Sequence, residues 1–239
     1  EILRCLVGSE MCIRDSYIRV LDRSGYFETV TLSEDDLKRN DMYRANAQRA
    51  KAQSRFADYH DYLLSLEMTA EIGDFSPLYL QRITQLTNKS NQFNLTTKRY
   101  TAEQMEAVYN SDEYIRLYGK LYDKFGDNGV VAVTIGKTDS ENKGRLDIEL
   151  WLMSCRVLKR DMELAMLDSL VAQAKKRGIR EIYGHYYPTA KNKMVAGLYE
   201  SFGFEKISQD EECNTAWRLL VEGYEDKNTV IKVKEEHYA

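Results

Sequence analysis

Between Arg145 and Gly178 the hydrophobic pattern changes period, and that change limits the folds open to the chain. In "RLDIELWLMSCRV" apolar and polar residues alternate, which places Leu146, Ile148, Leu150 and Leu152 on one face of a strand. Asp147, Glu149, Trp151, Met153 and Cys155 fall on the other face. The next stretch, "KRDMELAMLDSLVAQAKKRG", repeats Leu164, Leu167, Leu170, Val171 and Ala174 at helical spacing and stops at Gly178. Period two then returns in "IREIYGHYY". A strand, a helix and a strand in sequence predict an α/β or α+β architecture, a mixed sheet with helices packed on it.

The flanks extend this pattern. Upstream, "YIRLYGKLYDK" and "VVAVTIG" read as a hairpin, with Asp127, Asn128 and Gly129 of "FGDNG" tolerating the positive φ a tight turn requires. Downstream, "KNKMVAGLYESFG" reads as a helix, and "FEKIS" and "AWRLLVEGY" as strands. The text before the hairpin is helical. Ser33 is a candidate N-cap with Asp36 in the capping-box position, and residues 35–68 predict one long or two shorter helices. Pro77 suits a first helical turn after Ser76, with Leu80, Ile83 and Leu86 on one face, and "RYTAEQMEAVYNSDE" adds another helix. The sheet is thus expected to be largely antiparallel and preceded by a helical segment.

Composition narrows the function classes. The 239 residues are 43% hydrophobic and 30% charged, with no apolar run long enough for a membrane helix. Net charge is -4, and the basic cluster Lys175-Lys176-Arg177 sits where a helix ends, where it complements the dipole. Neither nucleic acid nor membrane is expected as a partner. Four cysteines without metal-ligand spacing and three scattered histidines predict no metal site and a reducing, cytoplasmic setting. The opening "CLVGSEMCIRDS" has no structural periodicity and resembles a translated transposase-end sequencing adapter. Residues 1–16 are therefore expected to be a disordered artefact, with the natural sequence beginning near Tyr17, mid-gene, and only Cys155 and Cys213 belonging to it.

Four stretches in order, "TNKSNQFNLTTKRYT", "KFGDNGVVAVTI", "LMSCRVLKRDME" and "YYPTAKNKMVAGLYESFGF", resemble the C-terminal region of FkbH-like proteins. Residues 17–68 resemble the mostly helical tail of the haloacid dehalogenase-like (HAD) domain that precedes this region in the family. Residues 69–239 resemble a GNAT-type acyltransferase domain. The Asp-x-Asp nucleophile motif of the phosphatase half is not found here in a strand-loop context, so its chemistry is not expected of this chain. The resemblance implies transfer of an acyl or glyceryl group to or from a phosphopantetheine thiol. The partners would be CoA or carrier-bound phosphopantetheine, a small-molecule acyl group and an acyl carrier protein. A non-catalytic carrier-docking or structural module, and an acetyl-CoA-dependent N-acetyltransferase, are the alternatives.

The resemblance points to the strand-to-helix junction as the cofactor site. In the GNAT pattern an Arg or Gln, two residues, a Gly, one residue, and a Gly or Ala bind pyrophosphate on free N–H groups and the helix dipole. Arg156, Val157, Leu158, Lys159, Arg160 and Asp161 occupy that turn, with Lys159 and Asp161 in the glycine positions. Missing glycines restrict positive φ, and Asp161 opposes a diphosphate. Tyr199 matches the position of a tyrosine that protonates a departing thiolate. Asn192 would contact pantetheine or cap its helix. A thiolate beside a helix N-terminus and an arginine is favoured, which makes Cys155 a candidate acyl carrier. Glu149 is a candidate base acting through water, although about 20 Å of regular strand would separate it from Cys155 unless a bulge intervenes. His185 would orient substrate or simply be satisfied beside a turn. Asn91, Asn94, Thr96 and Thr97 would line the acceptor side or satisfy the backbone.

Overall fold

The computed structural model describes residues 39–235. The expected Ser33 cap and the adapter-like residues 1–16 lie outside them. The chain divides into two compact units, Glu1–Asn46 and Ala47–Ala239. Of the first, the described part is the opening of helix α1 (Arg39–Gln53).

In the second unit, α1 ends and a second helix, α2 (Tyr59–Ser65), begins at Asp58, whose carboxylate accepts from the His60 and Asp61 N–H groups. Residues 39–65 therefore form the two shorter helices. Strand β1 (Thr69–Asp74) leads to α3 (Pro77–Lys89), which starts with Pro77 after Ser76 as expected. The brief strand β2 (Phe93–Asn94) and α4 (Ala102–Tyr109) follow, the latter closed by a capping box between Thr101 and Gln104.

Next come β3 (Tyr114–Asp123), β4 (Gly126–Thr138), β5 (Arg145–Met153), α5 (Met162–Lys176), β6 (Glu181–Tyr186), α6 (Leu198–Ser201), β7 (Glu205–Gln209), β8 (Thr215–Leu220) and β9 (Lys232–Glu235). The described strands form one sheet in the order β7-β8-β6-β5-β4-β3-β1-β9, with β2 attached to β5. Only β1–β9 and β5–β6 are parallel, so the sheet is mixed and largely antiparallel.

The hairpin turn differs from the expected one. Asp123 pairs with Gly126, so Lys124 and Phe125 make the turn, while Asp127–Gly129 lie within β4. Gly129 keeps the positive φ of 69° inside a bulged stretch where the register slips twice. Asn128 is buried, donating to the Leu121 carbonyl at 3.2 Å.

Helices cover both faces. On one, α5 buries Leu167, Leu170, Val171 and Ala174 as expected, with Leu164 only partly buried. It approaches so closely at Gly119 that a Cβ there would stand 2.3 Å from the Met162 Cε. On the other face, Ile83 and Leu86 of α3 and Met105 and Val108 of α4 cover Tyr118, Val133 and Ile135.

Strand β5 does not keep the predicted alternation. Ile135 pairs with Leu150 and Gly136 with Ile148, which leaves Glu149 as the extra residue of a β-bulge. Leu146 and Ile148 therefore pack on the α5 side, while Leu150 and Leu152 pack on the α3 side and Trp151 and Met153 on the α5 side. The predicted face Leu146–Leu152 is split in two because one unpaired residue inverts the side-chain direction of everything after it.

Candidate functional site

The parallel strands β5 and β6 pair only at Arg145–Glu181, Leu146–Ile182 and Asp147–Tyr183. Beyond Asp147 they diverge, and two diverging strands leave a notch whose backbone groups need partners. The chain fills it with its own residues. Phe93 pairs with Met153 and Asn94 with Leu152, and the Leu95 N–H donates to the Trp151 carbonyl at 3.2 Å. On the other side the Tyr187 N–H donates to the Leu95 carbonyl at 2.9 Å, and Asn192 Nδ2 donates to the Asn94 carbonyl at 2.9 Å. Thr96 Oγ1 donates to the Glu149 carbonyl at 2.7 Å, at the bulge. Phe93, Asn94, Leu95 and Thr96 are all buried.

Above the notch, β5 runs into a short 3-10 turn, Cys155–Val157, capped by Ser154, whose Oγ accepts from the Arg156 N–H. The Cys155 thiol is exposed and free of any disulfide. Val157 is buried and Leu158 partly buried in the α5-side core. Lys159 and Asp161 adopt φ of 62° and 59°. These are the two glycine positions of the pattern, so the turn keeps the glycine backbone while carrying side chains that make it strained. The Tyr59 hydroxyl covers it from α2, donating to the Lys159 carbonyl at 2.6 Å.

Charge at this helix start is mixed. Arg160 turns inward and is buried, with Nη1 3.2 Å from Asp123 Oδ2 and 3.4 Å from Asn128 Oδ1. Asp123 also takes a two-pronged contact from Arg49 at 2.9 Å for both bonds. Burial would raise the Asp123 carboxyl, but Arg49, the Phe125 N–H and Asn128 together hold it below the usual range. Burial, with Arg49 nearby, lowers Arg160. Asp161 is the N-cap residue of α5 but makes no side-chain cap, and burial raises its pKa. Glu163, in the first turn, is pushed up to about 7 by burial, and Asp161 adds to the shift.

The notch therefore does not fit the pantetheine arm of a CoA, because Phe93–Thr96 fill it. Asp161 and Glu163 stand at the start of α5, where the resemblance would put a diphosphate.

The other expected residues are spread over the sheet. Tyr199 is 1% exposed, enclosed by Trp151, Phe204 and Trp217. Its hydroxyl makes no well-formed hydrogen bond among the described residues, and burial raises its pKa. Its ring lies against Gly184, where a Cβ would stand 2.3 Å from Tyr199 Cε1. Asn192 is fully buried and bonded to backbone rather than capping a helix by its side chain. The helix expected at 191–203 is a 3-10 turn, Lys193–Val195, followed by the short α6.

The Glu149 carboxylate pairs with Lys98 and accepts from the Tyr100 hydroxyl at 3.1 Å. His185 Nε2 lies 3.2 Å from Asp147 Oδ1, and Arg145 grips the same carboxylate at 2.7 and 2.6 Å. Burial would raise Asp147, but hydrogen bonds from His185 and Arg145 outweigh it and lower its pKa. Asn94, Thr96 and Thr97 serve the notch, Thr97 through an N–H bond to Asn94 Oδ1 at 2.9 Å, while Asn91 pairs with Arg99.

Sequence reasoning did not single out Phe93 and Leu95 or the Arg49–Asp123–Arg160 cluster. The resemblance motif "NQFNLTT" marked the former stretch, but nothing in its spacing signalled a strand. Among the described residues no group of His, Cys, Asp and Glu is arranged to hold a metal, and no helix is long and apolar enough to cross a membrane.

Neither a family model nor a curated protein matches the chain. Solved structures do. An acetyltransferase from Thermus thermophilus is 13% identical with a TM-score of 0.50, covering 64% of this chain and 97% of its own. A domain from Methanocaldococcus jannaschii gives the same identity and score over 64% of this chain and 99% of its own. For yncA of Salmonella typhimurium, solved with its cofactor acetyl-CoA, the identity is 13%, the TM-score 0.49 and the coverage 68% and 99%. At these identities the likeness establishes the fold. The chain has the mixed α/β GNAT acetyltransferase fold, with a largely antiparallel sheet and packed helices.

Proposed function

We propose that this domain transfers an acyl group, of the glyceryl kind implied by the FkbH-like resemblance, between its own Cys155 and the phosphopantetheine thiol of an acyl carrier protein. The observation that carries the reading is the exposed Cys155 thiol at the head of the turn that leads into α5. A fold shared with an acetyltransferase supports acyl transfer in general. On this reading residues 17–68 belong to the tail of a HAD-like half.

The step exchanges one thioester for another. The carrier thiol, as thiolate after its proton leaves to solvent, attacks the carbonyl of the Cys155 thioester. A C–S bond forms to the pantetheine sulfur, the C–S bond to Cys155 breaks, and Cys155 departs as thiolate. The bonds made and broken are of one kind, so no further co-reactant is required.

Intact-mass analysis after incubation with acyl-loaded holo carrier tests this. The acyl mass is expected on the wild-type chain and lost in Cys155→Ser, with transfer falling at least 100-fold. Undiminished transfer by Cys155→Ser removes Cys155 from the reaction.

One observation favours a second reading, the non-catalytic carrier-docking or structural module: the Tyr199 hydroxyl is sealed in the aromatic core. Carrier binding that is indifferent to the pantetheine arm, with no acyl on Cys155, would select it. Turnover of acetyl-CoA on an amine would instead select the N-acetyltransferase.

A further inference from the structure

We infer that the notch between β5 and β6 is closed to the pantetheine arm of free CoA and acyl-CoA by the chain's own Phe93–Thr97. The closure of the notch does not rest on the Cys155 reading.

Backbone pairing is the first ground. After Asp147 the divergence of β5 and β6 exposes carbonyls and N–H groups that an amide-bearing arm would have to satisfy. The chain already satisfies them on both sides. Leu95 donates to the Trp151 carbonyl at 3.2 Å and accepts from the Tyr187 N–H at 2.9 Å, a two-sided strand contact. Asn94 is fixed on one side by pairing with Leu152 and on the other by the Asn192 amide at 2.9 Å. An entering arm would at best remake bonds that its entry must first break, so it would gain little net hydrogen-bond energy.

Burial is the second. Phe93 is 4% exposed and Leu95 0%, and both belong to the α5-side core with Trp151, Met153 and Val195. Expelling them would return two large apolar side chains to water.

Anchorage is the third. On the upstream side, Arg99 Nη1 donates to the Ser90 carbonyl at 3.0 Å and also to the Thr87 carbonyl. On the downstream side, Lys98 is paired with Glu149 at the bulge. The segment is thus pinned before and after the notch and is not a loose flap.

Charge is the fourth. At the end of the notch where a diphosphate would lie, Asp161 and Glu163 occupy the start of α5, and the buried Arg160 is engaged by Asp123 and Asn128.

Calorimetry with CoA and acetyl-CoA on the full chain, paired with native-state hydrogen exchange, tests the inference. No saturable heat is expected up to millimolar ligand, and the Leu95 amide should exchange within tenfold of the Val133 amide, by global unfolding. Saturable binding that deprotects Leu95 overturns the inference, as does exchange of Leu95 100-fold faster than Val133 without ligand. The double variant Lys159→Gly/Asp161→Gly removes the unfavourable turn but keeps the filled notch. It should still refuse CoA, and binding by this variant would show that the turn and not Phe93–Thr97 bars entry, which also overturns the inference. Acylation of Cys155 is scored separately by mass, so failure of the transfer reading leaves these outcomes unchanged.

Discussion

Asn192 Nδ2 donates to the backbone carbonyl of Asn94 at 2.9 Å, joining positions 98 residues apart in sequence. The same amide donates to the Tyr187 carbonyl at 2.9 Å, and its Oδ1 accepts from the Thr189 N–H at 2.7 Å. Replacing Asn192 with Ala strands these groups in a buried setting and should cost about 2–3 kcal/mol. Urea unfolding measures the loss, and hydrogen exchange should show it concentrated at Leu95. An Asn192→Ala protein as stable as wild type would mean the side chain does not hold the segment.

Tyr199 should behave as core. Its hydroxyl is enclosed without a well-formed bond, so Tyr199→Phe removes a desolvated polar group and should leave stability unchanged or slightly raised. Gly184→Ala, which presses a methyl group on the same ring, should cost about 1–3 kcal/mol by overpacking. Acyl transfer by Tyr199→Phe is expected to match wild type. A large fall in its kcat with normal stability would assign the phenol a role in proton transfer.

The strained turn makes a prediction of opposite sign. Lys159 holds φ of 62°, a left-handed conformation that costs a side-chain-bearing residue about 1–2 kcal/mol and glycine almost nothing. The extra freedom of glycine in the unfolded chain takes back part of this. Lys159→Gly should therefore raise stability by about 0.5–1 kcal/mol, read as a shift in the urea midpoint at constant slope. A lowered midpoint would mean that the exposed Lys159 side chain contributes more than its backbone costs.

Glu163 makes stability depend on pH between the acidic range and neutrality. Its carboxyl is pushed up to about 7 from an ordinary 4.5. A raised folded pKa gives stability that is complete below the unfolded value near 4.5 and lost as pH rises through about 7. Glu163→Gln should remove this fall and exceed wild type by about 2 kcal/mol at pH 8. Asp123 and Asp147 act in a separate window. Their lowered values give stability present above the ordinary 3.8 and lost as pH falls further. Unfolding free energies across pH 3–8, on wild type and Glu163→Gln, separate the two.

The sequence carried the sheet and its helices because their signals are periodic and local. Leu167, Leu170, Val171 and Ala174 mark α5, and Pro77 marks the start of α3. Strand β2 was not legible. Phe93 and Asn94 are too short a run for periodicity, and they pair only because β5 and β6 have already parted beside them. The site was half legible. Lys159 and Asp161 marked a turn with the wrong side chains for its backbone, and both do adopt positive φ. That Arg160 turns inward to Asp123 depended on a hairpin placed 37 residues earlier, which no local pattern reports.

The bulge at Glu149 makes the chemistry of this strand sensitive to counting and not only to composition. One surplus residue sets the orientation of all that follows, from Leu150 to the Cys155 turn. Deleting Glu149 would remove the bulge and leave Leu150 and Leu152 facing α3 and Trp151 and Met153 facing α5. Taking Glu149 into the ladder as an ordinary strand residue would instead send Trp151 and Met153 toward α3 and Leu150 and Leu152 toward α5. That slip would act as a frameshift written in space: the same residues in the same order, each addressed to the opposite side of the sheet.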